Sequence, residues 1–382
     1  MPKNNYLKTL KFDHAAKFWD KKSEIFSSCF DPRNNSIGFM RTAFALLVIV
    51  NHTFPLGGYG HDPLFRFGQD QETLGGIAVK GFFILSGYLI AASYVRSHTT
   101  PRYFWHRFLR IMTAFWAELI VVAFFFAPLM YYLQKDTISG FTIHGLMSPL
   151  QYVWHNAYLY MNQYEISNLT ANLPWPHAFN GSLWTLYYEV LAYVVIGFVG
   201  VFGLIKDRSK LVLGSVAVLY GLYILSQAVP GSIQKVAPFL ADPQMLPLML
   251  FFFSGTLWYL FRDKVVHSNK LAVFAIIILI LALRYHFYAL VSPILYTYLV
   301  FYFATALPFK GFDRKADFSY GIYIYAFPVQ QLLAQLSLNT LGGPVLFATI
   351  SALITLPFAV ASFYLVEKPA LKLKNIGLRR KK

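Results

Sequence analysis

An arginine and a histidine stand eleven residues apart in the first long apolar run of the chain, Arg41 and His52. Eleven residues make about three helical turns, so the two side chains share one helix face, roughly 16 Å apart along the axis. A guanidinium grips phosphate and carboxylate groups, and an imidazole takes and returns protons near neutral pH. Charge at membrane depth is costly, which makes such groups functional candidates by default. A snorkelling Arg and a hydrogen-bonded interior His are the plain alternative.

Two carboxylates sit well inside apolar runs, Glu118 and Glu189. Glu189 follows Asn180-Gly181-Ser182-Leu183-Trp184, where Asn180 or Ser182 suits a helix N-cap. A buried carboxylate needs a partner or a proton. His52 is the natural partner for Glu189, because an oriented imidazole makes a better general base. Glu118 reads as a neutral or Arg-paired structural acid. Arg107 and Arg110 lie three apart, on one helical face, where a cytoplasmic ligand would meet the membrane. They suit phosphate, with ordinary cytoplasmic positive charge as the alternative. Ser86-Gly87 allows close helix approach or passage of a thin ligand chain. Lys80 is an intramembrane cation that pairs with Glu118 or Glu189, or snorkels. Trp184, Tyr320 and Tyr323 are candidate substrate-binding side chains, and Pro328 implies a kink in their neighbourhood. No metal-ligand spacing, P-loop or Gly-x-Ser-x-Gly motif occurs in the sequence.

The elements that must position these groups are hydrophobic. Of 382 residues, 57% are hydrophobic and 13% charged, against roughly 25% charged in soluble domains. Ten long apolar runs cover 39–57, 74–95, 111–133, 183–205, 211–229, 244–261, 271–290, 291–309, 318–338 and 343–366. A span needs about 17–25 residues, and the alternation of barrel strands is missing. The fold class is therefore an all-α integral membrane protein with about ten transmembrane helices. Of 33 Lys and Arg, 27 fall in the two termini and the even-numbered connections, and only Arg66, Lys135, Lys235 and Arg284 in the odd-numbered ones. That asymmetry predicts cytoplasmic N and C termini. The net charge of +16 then reads as topology, with no nucleic-acid partner expected.

The predicted organisation is a cytoplasmic arm over 1–36, a transmembrane domain over 37–367 and a basic cytoplasmic tail over 368–382. No signal peptide opens the chain, and Phe18 to Phe30 suit a membrane surface. The longest outer connection, about 134–180, carries Tyr152, Trp154, Tyr158, Tyr160 and Trp175, which suit either sugar stacking or an interfacial belt. The one cysteine, Cys29, excludes a disulfide within the chain.

Six ordered pieces together resemble the acyltransferase-3 family of membrane O-acyltransferases. They are Arg41 with His52; Gly76-Ile-Ala-Val with Phe82-Phe83 and Ser86-Gly87-Tyr88; Arg107-Phe-Leu-Arg110-Ile111; Gly181-Ser182-Leu183-Trp184 with Glu189; Tyr320-Gly-Ile-Tyr323; and Glu367-Lys368-Pro369. The resemblance covers about residues 34 to 370. It departs where many members have His in the ninth span, at Ala326, and where Pro is frequent, at Thr113. The esterase-like outer domain of many members has no counterpart, which implies transfer that is direct or completed by a separate protein. The resemblance implies ten spans in the bacterial cytoplasmic membrane, acetyl-CoA as the cytoplasmic acyl donor, and a hydroxyl of a cell-surface polysaccharide or its lipid-linked precursor as acceptor. On that reading His52 is catalytic and Glu189 orients it. Arg41, Arg107 and Arg110 hold the donor phosphates, and the carrier arm passes Ser86 and Gly87. A transporter or flippase for a lipid-linked saccharide is the alternative, since intramembrane charge would fit it too.

Overall fold

The computed structural model describes residues 23–97, 99–203, 205 and 209–375. Most of the predicted arm, the last part of the basic tail, and Lys206 and Arg208 of the fourth connection lie outside the described residues.

Each predicted apolar run holds one helix. They are α1 (Ile37–Leu56), α2 (Leu74–Arg96), α3 (Thr100–Lys135), α4 (Trp184–Val201), α5 (Ser209–Ala228), α6 (Met245–Phe261), α7 (Asn269–Arg284), α8 (Tyr288–Ala306), α9 (Ser319–Gln335) and α10 (Gly343–Lys372). Among the described residues, seven are long and apolar enough to cross a membrane. The shorter three are α6, α7 and α9, with 17, 16 and 17 residues. Strand is confined to a two-residue pairing of Glu24–Ile25 with Val266–His267, among the described residues. The chain is an all-α membrane protein.

Two of the helices extend well past their apolar runs, and both carry a π-helical turn just before a proline. In α3 the helix opens at Thr100 with Pro101 in its first turn, where a missing N–H costs nothing. The segment with Arg102, Arg107 and Arg110 is helical, as the shared face of Arg107 and Arg110 requires, and it continues into the apolar run without a break. Residues Val122–Phe126 form a π-helical turn just before Pro128. The same arrangement recurs in α10, where the π turn Phe363–Glu367 precedes Pro369. A proline ring clashes with the carbonyl four residues back, and a widened turn absorbs that clash.

Small residues set the tightest helix contact. A Cβ on Gly87 of α2 would lie 1.8 Å from the Phe252 carbonyl oxygen of α6, and one on Gly255 would lie 1.9 Å from the Ile84 carbonyl oxygen. Thr256 Oγ1 donates to the Gly87 carbonyl across 3.2 Å. Close backbone approach and an interhelical hydrogen bond supply the packing that lipid cannot drive.

The end of the arm differs from the expectation of a surface segment. Phe26 is fully buried and Phe30 nearly so, against Tyr88 of α2 and, for Phe26, Trp258 and Phe301. Phe18 lies outside the described residues. The connection between α3 and α4 is pinned rather than free. Its Tyr152 is fully buried, and Gln331 of α9 donates to the Trp175 and Ala178 carbonyls. Trp154, Tyr158 and Tyr160 stay exposed.

Candidate active site

The turn into α9 organises the basic residues. Asp317 Oδ1 accepts from the Ser319 amide and hydroxyl at 3.1 and 2.6 Å. Its other oxygen binds Arg41 of α1 and, at 2.6 Å, Arg110 Nη2 of α3. Burial opposes the charge on Asp317, but the two guanidiniums and the Ser319 donors overcome it. The carboxyl is held well below its ordinary range. Behind them Glu367, almost fully buried, faces Arg110 Nη1 at 4.0 Å.

The arginines front a cavity of about 110 Å³. Arg41, Arg107, Arg110, Ser86, Glu189 and Tyr193 form its polar wall. Glu189 accepts from Ser86 Oγ at 3.0 Å and from the Tyr193 hydroxyl. The Arg107 guanidinium lies over the Tyr193 ring, 6.0 Å from its centroid. Its Nε is buried with no partner among the described residues. A donor left without an acceptor inside protein is costly, and an anionic ligand would satisfy it.

A second cavity, of about 320 Å³, holds His52. Asn51, Glu72, Lys80, Trp184 and Gln244 share its wall. The His52 ring stands edge-on to Phe327 at 5.1 Å, and its Nδ1 is buried without a partner among the described residues. Lys80 pairs with Glu72. Val79, Thr185 and Tyr323 line both cavities, so the arginine and histidine chambers share one wall. In that wall the Tyr323 hydroxyl meets Thr185 Oγ1 at 2.6 Å and donates to the Ser182 carbonyl at 3.0 Å.

The same wall is built on a buried polar clamp. Asn180 donates to Glu118 at 2.6 Å and to the Ile324 carbonyl at 2.8 Å. Its Oδ1 accepts from the Ser182 amide at 2.9 Å, which shapes the turn into α4. Apart from the Ile324 carbonyl of α9, the clamp is made by Asn180 and Ser182 at the turn into α4 and Glu118 of α3.

The acyltransferase domain family matches residues 34–364, most of the chain and all of both cavities. The chain belongs to the acyltransferase-3 family. It is similar to an O-acetyl transferase of Shigella phage Sf6, with 30% identity over 351 residues, covering 90% of this chain and 95% of that protein. It is also similar to nodulation protein 10 of Rhizobium leguminosarum bv. viciae, with 25% identity over 373 residues, covering 91% and 96%. No solved structure matches the chain. The protein is thus a membrane acyltransferase.

Against that family pattern, the structure brings Arg41, Arg107, Arg110, Ser86, Glu189, Tyr320 and Tyr323 to one cavity. His52 and Trp184 line the other. Two expected relationships differ. Glu189 binds Ser86 and Tyr193, and no bond joins it to His52 among the described residues. Gly87 turns to α6 and does not line the arginine cavity, because its missing Cβ is occupied by the Phe252 carbonyl. The Tyr320 hydroxyl is spent on the Ile111 carbonyl at 3.0 Å, so Tyr320 and Tyr323 build walls with their hydroxyls engaged. Lys80 pairs with Glu72, and Glu118 with Asn180, instead of with each other. Ala326, where many family members have His, packs against Ala45, Ile49 and Ala359 in an apolar cluster.

Sequence reading missed Asp317, Glu72 and Glu367 as site builders. Asp317 carried one usable signal: an Asp two residues before Ser at a helix start commonly accepts local backbone and hydroxyl hydrogens. Glu72 lies two residues before the apolar run that opens at Leu74, so its position gives no sign of intramembrane charge.

Proposed function

We propose that the protein moves an acetyl group from acetyl-CoA to a hydroxyl of a saccharide destined for the cell surface. Ten spans with both termini on the cytoplasmic side would turn the arginine cavity to the cytoplasm. Support comes from the charge asymmetry of the sequence, from family membership, and from the O-acetyl transferase relative. Membership favours group transfer over transport of a lipid-linked saccharide.

One observation carries the mechanism: a guanidinium-lined cavity and an imidazole-lined cavity share a wall of Val79, Thr185 and Tyr323. The unpartnered Arg107 Nε fits a phosphate of the donor. Arg41 and Arg110, held by Asp317, keep charge at that mouth. Glu189 fixes Ser86 and Tyr193, and through the Tyr193 ring the place of Arg107.

His52 takes the proton of the acceptor hydroxyl as its oxygen attacks the thioester carbonyl. The carbon–sulfur bond breaks, the acetyl group passes to the oxygen, and the thiolate leaves toward the arginine cavity. The imidazolium then returns the proton to the thiolate or to water. Burial without a partner at Nδ1 keeps the His52 ring free of a competing bond. The test is the O-acetyl content of surface polysaccharide, read by NMR, in cells making His52→Ala at the wild-type level. Loss of acetylation is expected, and unchanged acetylation would contradict the reading.

A further inference from the structure

The walls of the two cavities differ in charge, and the difference selects ligands. Three guanidiniums and one carboxylate line the arginine cavity; Asp317 behind the wall ties Arg41 and Arg110, and Arg107 keeps an unpartnered donor for an anion. In the histidine cavity the two formal charges, Lys80 and Glu72, cancel in a direct ion pair. Both are largely buried, at 15% and 4% side-chain exposure, so the pair is little screened. Lys80 Nζ also sits 5.4 Å from the Phe251 ring centre and 5.6 Å from that of Tyr288. An anionic ligand would find no unpaired cation there.

Unused hydrogen-bonding capacity is plentiful instead. The side-chain amides of Asn51 and Gln244 make no hydrogen bond among the described residues, and both line the cavity. Each amide offers two donors and an acceptor oxygen. Glu72 spends its carboxylate on the Thr73 amide at 3.0 Å, on Lys80 and on the Tyr288 hydroxyl, which leaves about one of its four acceptor sites. Lys80 keeps two of its three donors. The half-buried Trp184 adds a flat apolar face and an indole N–H.

A ligand that suits this wall carries several hydroxyls, each both donor and acceptor, and one apolar ring face. The volume of about 320 Å³ stands at the small end of ligand pockets, roughly 300–1,000 Å³. We propose that the His52 cavity is a subsite for an uncharged hexopyranose unit, gripped by Asn51, Glu72, Lys80 and Gln244 with Trp184 against the ring. This rests on reading the chain as a saccharide O-acetyltransferase, and it names that acceptor as neutral.

The experiment is ligand-observed saturation-transfer NMR on the purified full chain. The probes are methyl α-glucopyranoside, methyl α-galactopyranoside and methyl α-mannopyranoside, with methyl glucopyranosiduronate as the anionic counterpart. Binding is read without turnover, beside a separate acetyl-CoA binding assay. At least one neutral glycoside is expected to bind, with the uronate at least tenfold weaker. Asn51→Ala and Gln244→Ala should each weaken the glycoside about tenfold, the loss of about one hydrogen bond, with acetyl-CoA binding unchanged. Both leave the Glu72–Lys80 pair intact, and thermal unfolding checks their folding beside Glu72→Gln. Binding by no neutral glycoside, equal binding of the uronate, or indifference to all three variants would overturn the subsite. Glycoside binding without acetyl transfer would contradict the transferase reading and support the subsite.

Discussion

Arg110 donates to Asp317 across 2.6 Å, joining α3 to the start of α9. Arg41 of α1 binds the same carboxylate oxygen, so one acid on a turn aligns two cations from different helices. The arginine cavity is thereby held by a group outside every apolar run.

Asp317→Asn should loosen both guanidiniums. Removing one partner of a buried ion pair costs about 3 kcal/mol or more, so the variant should unfold at lower temperature and show a raised KM for acetyl-CoA. The pH dependence follows from the sign of the shift. Burial opposes the Asp317 charge, and Arg41 and Arg110 outweigh it, so the folded carboxyl lies below its unfolded value. Its stabilisation is full above the unfolded value, about 3.9, and is lost as pH falls through the lower folded one. Thermal stability of wild type minus that of Asp317→Asn should therefore stay flat from about pH 8 to 5, which a thermal-shift series would show.

Arg107 is free to bind where Arg41 and Arg110 are tied. Arg107→Lys keeps a charge but loses the planar fork. Its KM for acetyl-CoA should rise about tenfold, the loss of a charge-assisted hydrogen bond, with little change in kcat. Initial rates across acetyl-CoA concentrations measure this.

Glu118 acts on the turn into α4 through Asn180. Glu118→Gln keeps an acceptor oxygen for Asn180 and should remain near wild type in stability. Glu118→Ala leaves that donor short of a partner and should cost about 1–3 kcal/mol. Thermal unfolding of the two variants side by side separates acceptor from charge.

Two glycines give opposite expectations. Gly87→Ala would drive a methyl against the Phe252 carbonyl, 1.8 Å away, and should lower the folded yield. Gly214→Ala on α5 meets nothing within 4 Å and should be neutral or slightly stabilising. Detergent-solubilised yield by fluorescence-detected gel filtration reads both.

Hydropathy located the ten longest described helices, because a segment in lipid must satisfy its backbone internally and so announces itself as an unbroken apolar run; seven of them are long and apolar enough to span. The grouping of Arg41, Arg107 and Arg110 was legible too, from guanidiniums at one end of the apolar runs, whereas Glu189, expected beside His52, lines the arginine cavity instead. Partnerships were not. Asp317 reaches Arg41 across 276 positions and Ser86 reaches Glu189 across 103, and helix rotation, which periodicity fixes only loosely in an all-apolar run, decides such pairs. The low amphipathicity expected of buried spans is why Gly87 could be placed on α2 without showing that it faces α6. Lys80 pairs locally, with an acid eight residues earlier, but Glu72 stands before the apolar run and does not show as an intramembrane charge.

The central claim is that the two chambers are halves of one reaction, donor beside the arginines and acceptor beside His52. Its most direct measurement is release of CoA from acetyl-CoA by the purified protein, with and without an acceptor glycoside, for wild type and His52→Ala. The account predicts glycoside-dependent release by wild type and loss of at least 100-fold in the variant, the scale of a missing general base, about 10²–10⁴-fold, with acetyl-CoA still bound. Glycoside-dependent release that persists in His52→Ala, or acetyl-CoA binding that disappears with it, would contradict the account.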